Sequence, residues 1–142
     1  MLISRALLDE LIAHAREEAP NECCGVVAVH ADGSEPGEPP HAARVYRAVN
    51  AAASPLRFEV DGRELLRAID DIERTGSELG AIYHSHTRTA PYPSQTDINF
   101  AANWPGVEWI IVGLAADSAP EVRSYLIDGG DVREVELPES AT

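Results

Sequence analysis

Lysine is missing altogether: the chain has 142 residues and eleven basic side chains, and all eleven are arginine. It therefore offers no side-chain amine for isopeptide attachment. Cysteine is nearly missing too. The only two, Cys23 and Cys24, are adjacent. They give neither a disulfide framework nor a C-x-x-C zinc pair, and they read as small buried strand residues. Positive charge is scarce, with 11 basic residues against 24 acidic ones and a net charge of −13. That field disfavours nucleic acid and anionic membrane surfaces as partners. No apolar run is long enough to cross a bilayer. The opening "MLISRALLDELIAHAREEA" carries acids inside its apolar pattern, which is wrong for a signal peptide, so a cytoplasmic location is expected. What remains is an ordinary globular composition, sized for one domain over residues 1–142.

Periodicity then sets the elements. Ser4 can cap a helix whose Leu7, Leu8, Leu11, Ile12 and Ala15 form one stripe, stopped by Pro20. Residues 23–30, "CCGVVAVH", read as a buried strand, and residues 43–50, "ARVYRAVN", as its hairpin partner. The stretch between them, "ADGSEPGEPP", is a polar turn. Asp61 with Glu64 makes a capping box for a helix bearing Leu65, Leu66, Ile69 and Ile72, closed near Gly76. "LGAIYHSH" is a strand, "SQTDINFAANW" a short helix, and "VEWIIVGL" a central buried strand. "EVRSYLI" and "DVREVEL" close the chain around an Asp-Gly-Gly turn. The expected class is α+β, a mixed curved β-sheet flanked by helices.

One stretch concentrates chemistry: "YHSHTRTAPYPSQTD", residues 83–97. Successive side chains of a strand point to opposite faces, so His84 and His86 project on one side as a two-imidazole clamp. Asp97 follows in the first turn of a helix. Two histidines and a carboxylate form the ligand set of a catalytic zinc, with the fourth tetrahedral position left to water. Blander origins exist for each part. A lone H-x-H is a weak signal, and Ser94 with Asp97 has the form of a helix capping box. That box leaves the histidines unexplained. His14, His30 and His41 read as solvated, and Trp104 and Trp109 as core or rim aromatics.

The run His84, Ser85, His86, seven residues, Ser94, two residues, Asp97 resembles the H-x-H…S-x-x-D signature of the JAMM (MPN+) metallopeptidases. That family also uses a glutamate on an early strand, and "NECCGVVAV" is similar to this segment, with Glu22 before "CCGVV". The resemblance covers nearly the whole chain and implies the MPN fold. "HSHTRTAPYPSQTD" has Thr87 where many members have proline, and is similar to a bacterial branch acting on ubiquitin-like sulfur carrier proteins.

The resemblance implies one zinc per chain on His84, His86 and Asp97, with Glu22 as general base and Ser94 as hydrogen-bond donor to the oxyanion. Asp97 as a ligand would not be free to complete its capping box. The implied substrate is a carrier with a Gly-Gly C-terminus, its tail extended along a sheet edge, and the implied product is cysteine released from a carrier–cysteine adduct. Trimming of a carrier precursor to expose Gly-Gly is an alternative. A small-molecule metal hydrolase is another, although an amidohydrolase barrel needs a longer chain and a cupin would be nearly all strand. A metal-free MPN scaffold is the third, but such members lack the ligands kept here.

Overall fold

The computed structural model describes residues 1–30, 37–115 and 119–140. The expected polar turn after the first long strand falls partly on residues 31–36, outside the described residues. Eleven elements follow in order: β1 (Ile3–Ser4), α1 (Arg5–Glu18), β2 (Cys24–His30), β3 (Ala42–Ala48), α2 (Gly62–Arg74), β4 (Ser77–His86), α3 (Gln95–Ala101), β5 (Glu108–Gly113), β6 (Glu121–Asp128), β7 (Asp131–Val135) and β8 (Glu139–Ser140). Six strands form one sheet in the order β3-β2-β4-β5-β6-β7. All neighbours are antiparallel except β4 and β5, so the sheet is mixed and the class is α+β as expected. β1 and β8 pair as a separate parallel two-stranded sheet, with two residues each, too short to leave a period in the sequence.

Strand alternation sorts the apolar side chains into two cores. Val27 and Val29 of β2, Ala81 and Tyr83 of β4, and Ile110 and Val112 of β5 face one way. There they meet Leu7, Leu8, Leu11, Ile12 and Ala15, the stripe expected on α1. Val26, Ala28, Ile82, Trp109 and Ile111 face the other way, against Leu65, Ala68 and Ile72 of α2 and Ile98 and Ala101 of α3. Both faces of β2, β4 and β5 are therefore covered, which explains their near-continuous apolar runs.

Two local expectations are corrected. Asp61 caps α2 by accepting the N–H groups of Arg63 and Glu64, but the reciprocal half of the box does not form. The Glu64 carboxylate instead accepts the Val49 N–H at 2.7 Å, a donor left over where β3 ends. His14 is not solvated: it is 3% exposed, and its Nδ1 lies 2.7 Å from the Tyr83 hydroxyl. It follows Leu11 by three residues and precedes Ala15, so it sits on the buried face of α1 and needs a polar partner there. Burial pushes its pKa down.

Gly25 lets β2 and Tyr83 approach. A Cβ there would lie 2.4 Å from the Tyr46 carbonyl oxygen and 2.4 Å from the Tyr83 ring. Gly25→Ala must move backbone or push Tyr83 off His14, and overpacking of this kind costs about 1–3 kcal/mol. The urea midpoint of Gly25→Ala should fall accordingly; an unchanged midpoint would mean the sheet yields there freely.

Candidate metal centre

β4 ends inside the sheet, with Cys24 of β2 opposite His84 on one side and Ile111 and Gly113 of β5 opposite His84 and His86 on the other. His84 and His86 share the pleat face of Ile82, the face covered by α2 and α3. Glu22 precedes β2 with the parity of Cys24 and Val26, so it turns to the same face. α3 supplies the acid: Ser94 is its N-cap and Asp97 lies in its first turn.

The structure brings Glu22, His84, His86 and Asp97 together and buries all four, with Ser94 exposed beside Asp97. The Nε2 atoms of His84 and His86 are 3.2 Å apart, and Asp97 Oδ2 lies 3.0 Å from the first and 3.3 Å from the second. A tetrahedral ion with bonds of about 2.0–2.1 Å to N and O has donor–donor edges of roughly 3.3 Å, so this triangle fits a divalent metal with little movement. A Glu22 carboxylate oxygen joins the nitrogens of His84 and His86 in a wider group, all within 4.8 Å of one another.

The capping box is complete in the metal-free protein. Ser94 Oγ accepts the Asp97 N–H at 3.1 Å, and Asp97 Oδ2 accepts the Ser94 N–H at 2.9 Å. One carboxylate oxygen serves both the box and the imidazoles because it has more than one lone-pair direction. Ser94 uses its oxygen in the box, so its hydroxyl proton stays available to a ligand.

Neighbours set each group's chemistry. His86 Nδ1 lies 2.9 Å from the Ala90 carbonyl oxygen and must donate to it; Nε2 then donates to Asp97 in the charged ring and becomes the lone-pair nitrogen once that proton leaves. Phe58 stacks on the His84 ring with centroids 4.4 Å apart and planes 21° apart, and Trp109 meets it edge-on at 6.4 Å. Among the described residues, His84 Nδ1 and Trp109 Nε1 are the buried side-chain polar atoms without a partner. Burial pushes the His84 pKa down. Burial works against the Asp97 carboxylate as well, but the two imidazoles and the Ser94 N–H hold its pKa far below the usual range. Glu22 goes the other way: burial, opposed by His86 and aided by the Asp97 charge, pushes it up to about 7.

Sequence reasoning missed Phe58 and the Ala90 carbonyl. Phe58 lies in a Pro-containing loop without period, and a backbone oxygen leaves no mark on a sequence. Cys23 and Cys24 are buried thiols, pushed up by burial to about 11 and about 12, and so inert as nucleophiles near neutral pH.

The fold and the buried His-His-carboxylate cluster define a JAB-type metal-site domain, and the chain belongs to the family of prokaryotic homologues of the JAB domain, whose family model matches residues 4–128. The CysO-cysteine peptidase of Mycobacterium tuberculosis H37Rv is 36% identical over 135 residues, covering 94% of this chain and 88% of that protein. A solution structure of a Desulfitobacterium hafniense protein superposes with a TM-score of 0.85 at 32% identity, over 98% of this chain and 92% of that one. A solved structure described as "JAMM: a metalloprotease-like zinc site in the proteasome and signalosome" shares the fold at a TM-score of 0.58 and 18% identity, over 99% of this chain and 97% of that one. The expected MPN (JAMM) fold is thereby met.

The raised Glu22 pKa has a signed consequence for the metal-free protein. Its folded value of about 7 exceeds the ordinary 4.5, so the native state binds more protons than the unfolded chain between those values. Stability contributed by this carboxyl is full below pH 4.5 and is lost as pH rises through 7, on the order of 3 kcal/mol in total. In EDTA, wild type should lose stability relative to Glu22→Gln across that window. Parallel curves for the two proteins would place the Glu22 carboxyl in water.

Proposed function

We propose that this chain is a zinc-dependent peptidase that hydrolyses the amide bond after the C-terminal glycine of a ubiquitin-like sulfur carrier protein, releasing cysteine from the carrier–cysteine adduct. The observation that carries the reading is the 3.0–3.3 Å triangle of His84 Nε2, His86 Nε2 and Asp97 Oδ2 with a proton-holding Glu22 beside it. The relative from Mycobacterium tuberculosis supports the substrate class, and the shared fold with a structure described by its zinc site supports the metal. A cytoplasmic location is part of the proposal; the structure contributes only that no helix among the described residues is long and apolar enough to cross a membrane.

Roles follow from the environments. His84, His86 and Asp97 would hold one zinc, since their donors already stand at tetrahedral spacing. The metal supplies Lewis-acid polarisation of the scissile carbonyl and lowers the pKa of a water. Glu22 would take the proton of the attacking water on its carboxylate and hand it to the leaving amine; a pKa near 7 suits both transfers. The exposed Ser94 hydroxyl would donate to the carbonyl oxygen as negative charge gathers there. The six-stranded sheet offers the extended tail two edge strands, β3 and β7. β3 is the nearer: its last residue, Ala48, pairs with Cys24, itself opposite His84.

His84→Ala and Asp97→Ala should each lose the bound zinc, while Glu22→Gln should keep about one per chain and lose turnover ~100-fold or more. Elemental analysis with single-turnover kinetics separates the two classes. Full zinc in the ligand variants, or normal turnover in Glu22→Gln, would reassign the roles.

The substrate is tested by mass spectrometry on three species: the carrier–cysteine adduct, the free tail peptide, and a precursor carrier with extra C-terminal residues. Cysteine should leave the adduct, and the free peptide should react much more slowly because it lacks the remote binding surface. Cutting of the precursor with the adduct left intact would assign the chain to carrier maturation. Neither being cut by the zinc-loaded protein would call for a different amide.

A further inference from the structure

We propose that Asn50 is a positioning residue for this reaction: its buried carboxamide fixes the backbone of Glu22 to the same loop that packs Phe58 on His84. The inference rests on the peptidase reading above and deepens it.

Asn50 is 8% exposed, and every hydrogen-bonding direction of its side chain is engaged by backbone. Its Nδ2 donates to the Glu22 carbonyl at 3.0 Å and the Arg57 carbonyl at 3.0 Å, with the Ser54 carbonyl at 3.4 Å. Its Oδ1 accepts the N–H groups of Ala52 at 3.0 Å and Glu59 at 2.9 Å. Four of these five contacts close residues 50–60 on themselves. The fifth leaves the loop and ends on Glu22.

Glu22 is held from its other side too, because its N–H donates to the Ser54 carbonyl at 2.8 Å. Both backbone polar groups of Glu22 therefore terminate on the 50–60 loop, one through the Asn50 side chain. The same loop carries Phe58, stacked at 4.4 Å on the ring of His84. One carboxamide thus sets the distance between the proton acceptor and a metal-binding imidazole, although it touches neither side chain. A backbone pinned at N–H and C=O fixes the direction of its Cα–Cβ bond. Misplacing a reacting group by about 1 Å can cost on the order of 100-fold in rate.

Two substitutions divide this role from simple loop folding. Asn50→Asp keeps the acceptor positions that meet Ala52 and Glu59, but a carboxylate cannot donate to the Glu22, Arg57 and Ser54 carbonyls, so its melting temperature is compared with its kcat to separate a loosened loop from a misplaced Glu22. Asn50→Leu keeps the branched shape at a larger volume and loses both. Zinc content, melting temperature, kcat and KM on the carrier–cysteine adduct are measured for each, with Glu22→Gln alongside. Asn50→Asp should hold one zinc per chain, show KM within about threefold of wild type, and lose kcat about ten- to a hundredfold. Asn50→Leu should be at least as slow and melt lower. Wild-type kcat in Asn50→Asp overturns the inference, as does a defect explained by lost zinc or by KM alone. Should Asn50→Asp fail to fold, amide hydrogen exchange on the wild-type protein decides: the amides of Glu22, Ala52 and Glu59 should be protected as one group, and free exchange at Glu22 refutes the clamp. An inactive Glu22→Gln with a normal Asn50→Asp sinks this inference alone. An active Glu22→Gln sinks the parent reading and this inference with it.

Discussion

Burying two imidazoles side by side at the end of β4 is costly, and in this molecule a carboxylate offsets the cost. His84 is fully buried and His86 nearly so, their Nε2 atoms 3.2 Å apart on a sheet face otherwise filled by Ile82, Ile111 and Trp109. Two positive rings cannot coexist at that distance in a weakly screening interior. Asp97 resolves the conflict by accepting from both directions with one oxygen, and the short helix α3 delivers it. Ser94 ties Asp97 to the helix start, so the acid cannot swing away without breaking the cap. The parallel pairing of β4 with β5 sets the depth at which this happens, because it ends at His86 opposite Gly113. A Cβ on Gly113 would lie 2.9 Å from the Pro91 ring, so the loop between His86 and α3 fits only over a glycine.

The cluster holds two carboxylates, and their surroundings push them apart. Asp97 is surrounded by donors: two imidazoles and a backbone N–H. Glu22 is buried beside the Asp97 charge, and burial outweighs the opposing pull of His86. One acid therefore stays ionised while the other holds or releases a proton near neutral pH. That division is how one site can supply both a ligand and a proton carrier from the same kind of side chain.

Much of this was legible in the sequence, and the reason is strand parity. His84 and His86 fall two apart on a strand with apolar neighbours, so their shared face follows from the pleat alone. The α1 stripe follows from helix period in the same way, as do Leu65 and Ile72 of α2; Leu66, expected in that stripe, is instead 63% exposed, and Ala68 takes its place against the sheet. The capping sequence around Ser94 and Asp97 marks the start of α3, but no local pattern says that α3 folds back over β4. Glu22 carries no local signal either; it stands after Pro20-Asn21 like a surface turn residue, and only the family resemblance singled it out. His14 was misjudged because a polar residue inside an apolar stripe was given to solvent, when Tyr83 on a distant strand was its partner. Asn50 and Phe58 belong to a loop with three alanines and one proline, where function depends on which backbone groups happen to meet. Such meetings are set by tertiary closure and leave no period to read.

The edge-on contact of Trp109 with His84 makes the cluster visible to light. Trp109 is 1% exposed, and its ring centroid lies 6.4 Å from that of His84, whereas Trp104 is only partly buried and lies in the turn after α3. An excited indole transfers energy or an electron to an imidazolium or an open-shell ion at such range. The blue-shifted emission of a buried indole would therefore dim when the imidazole charges or when cobalt or copper occupies the cluster, and would stay bright with a closed-shell ion. The protein carries an intrinsic fluorophore aimed at the His84 ring, and the state of the cluster can be followed without a dye or a substrate.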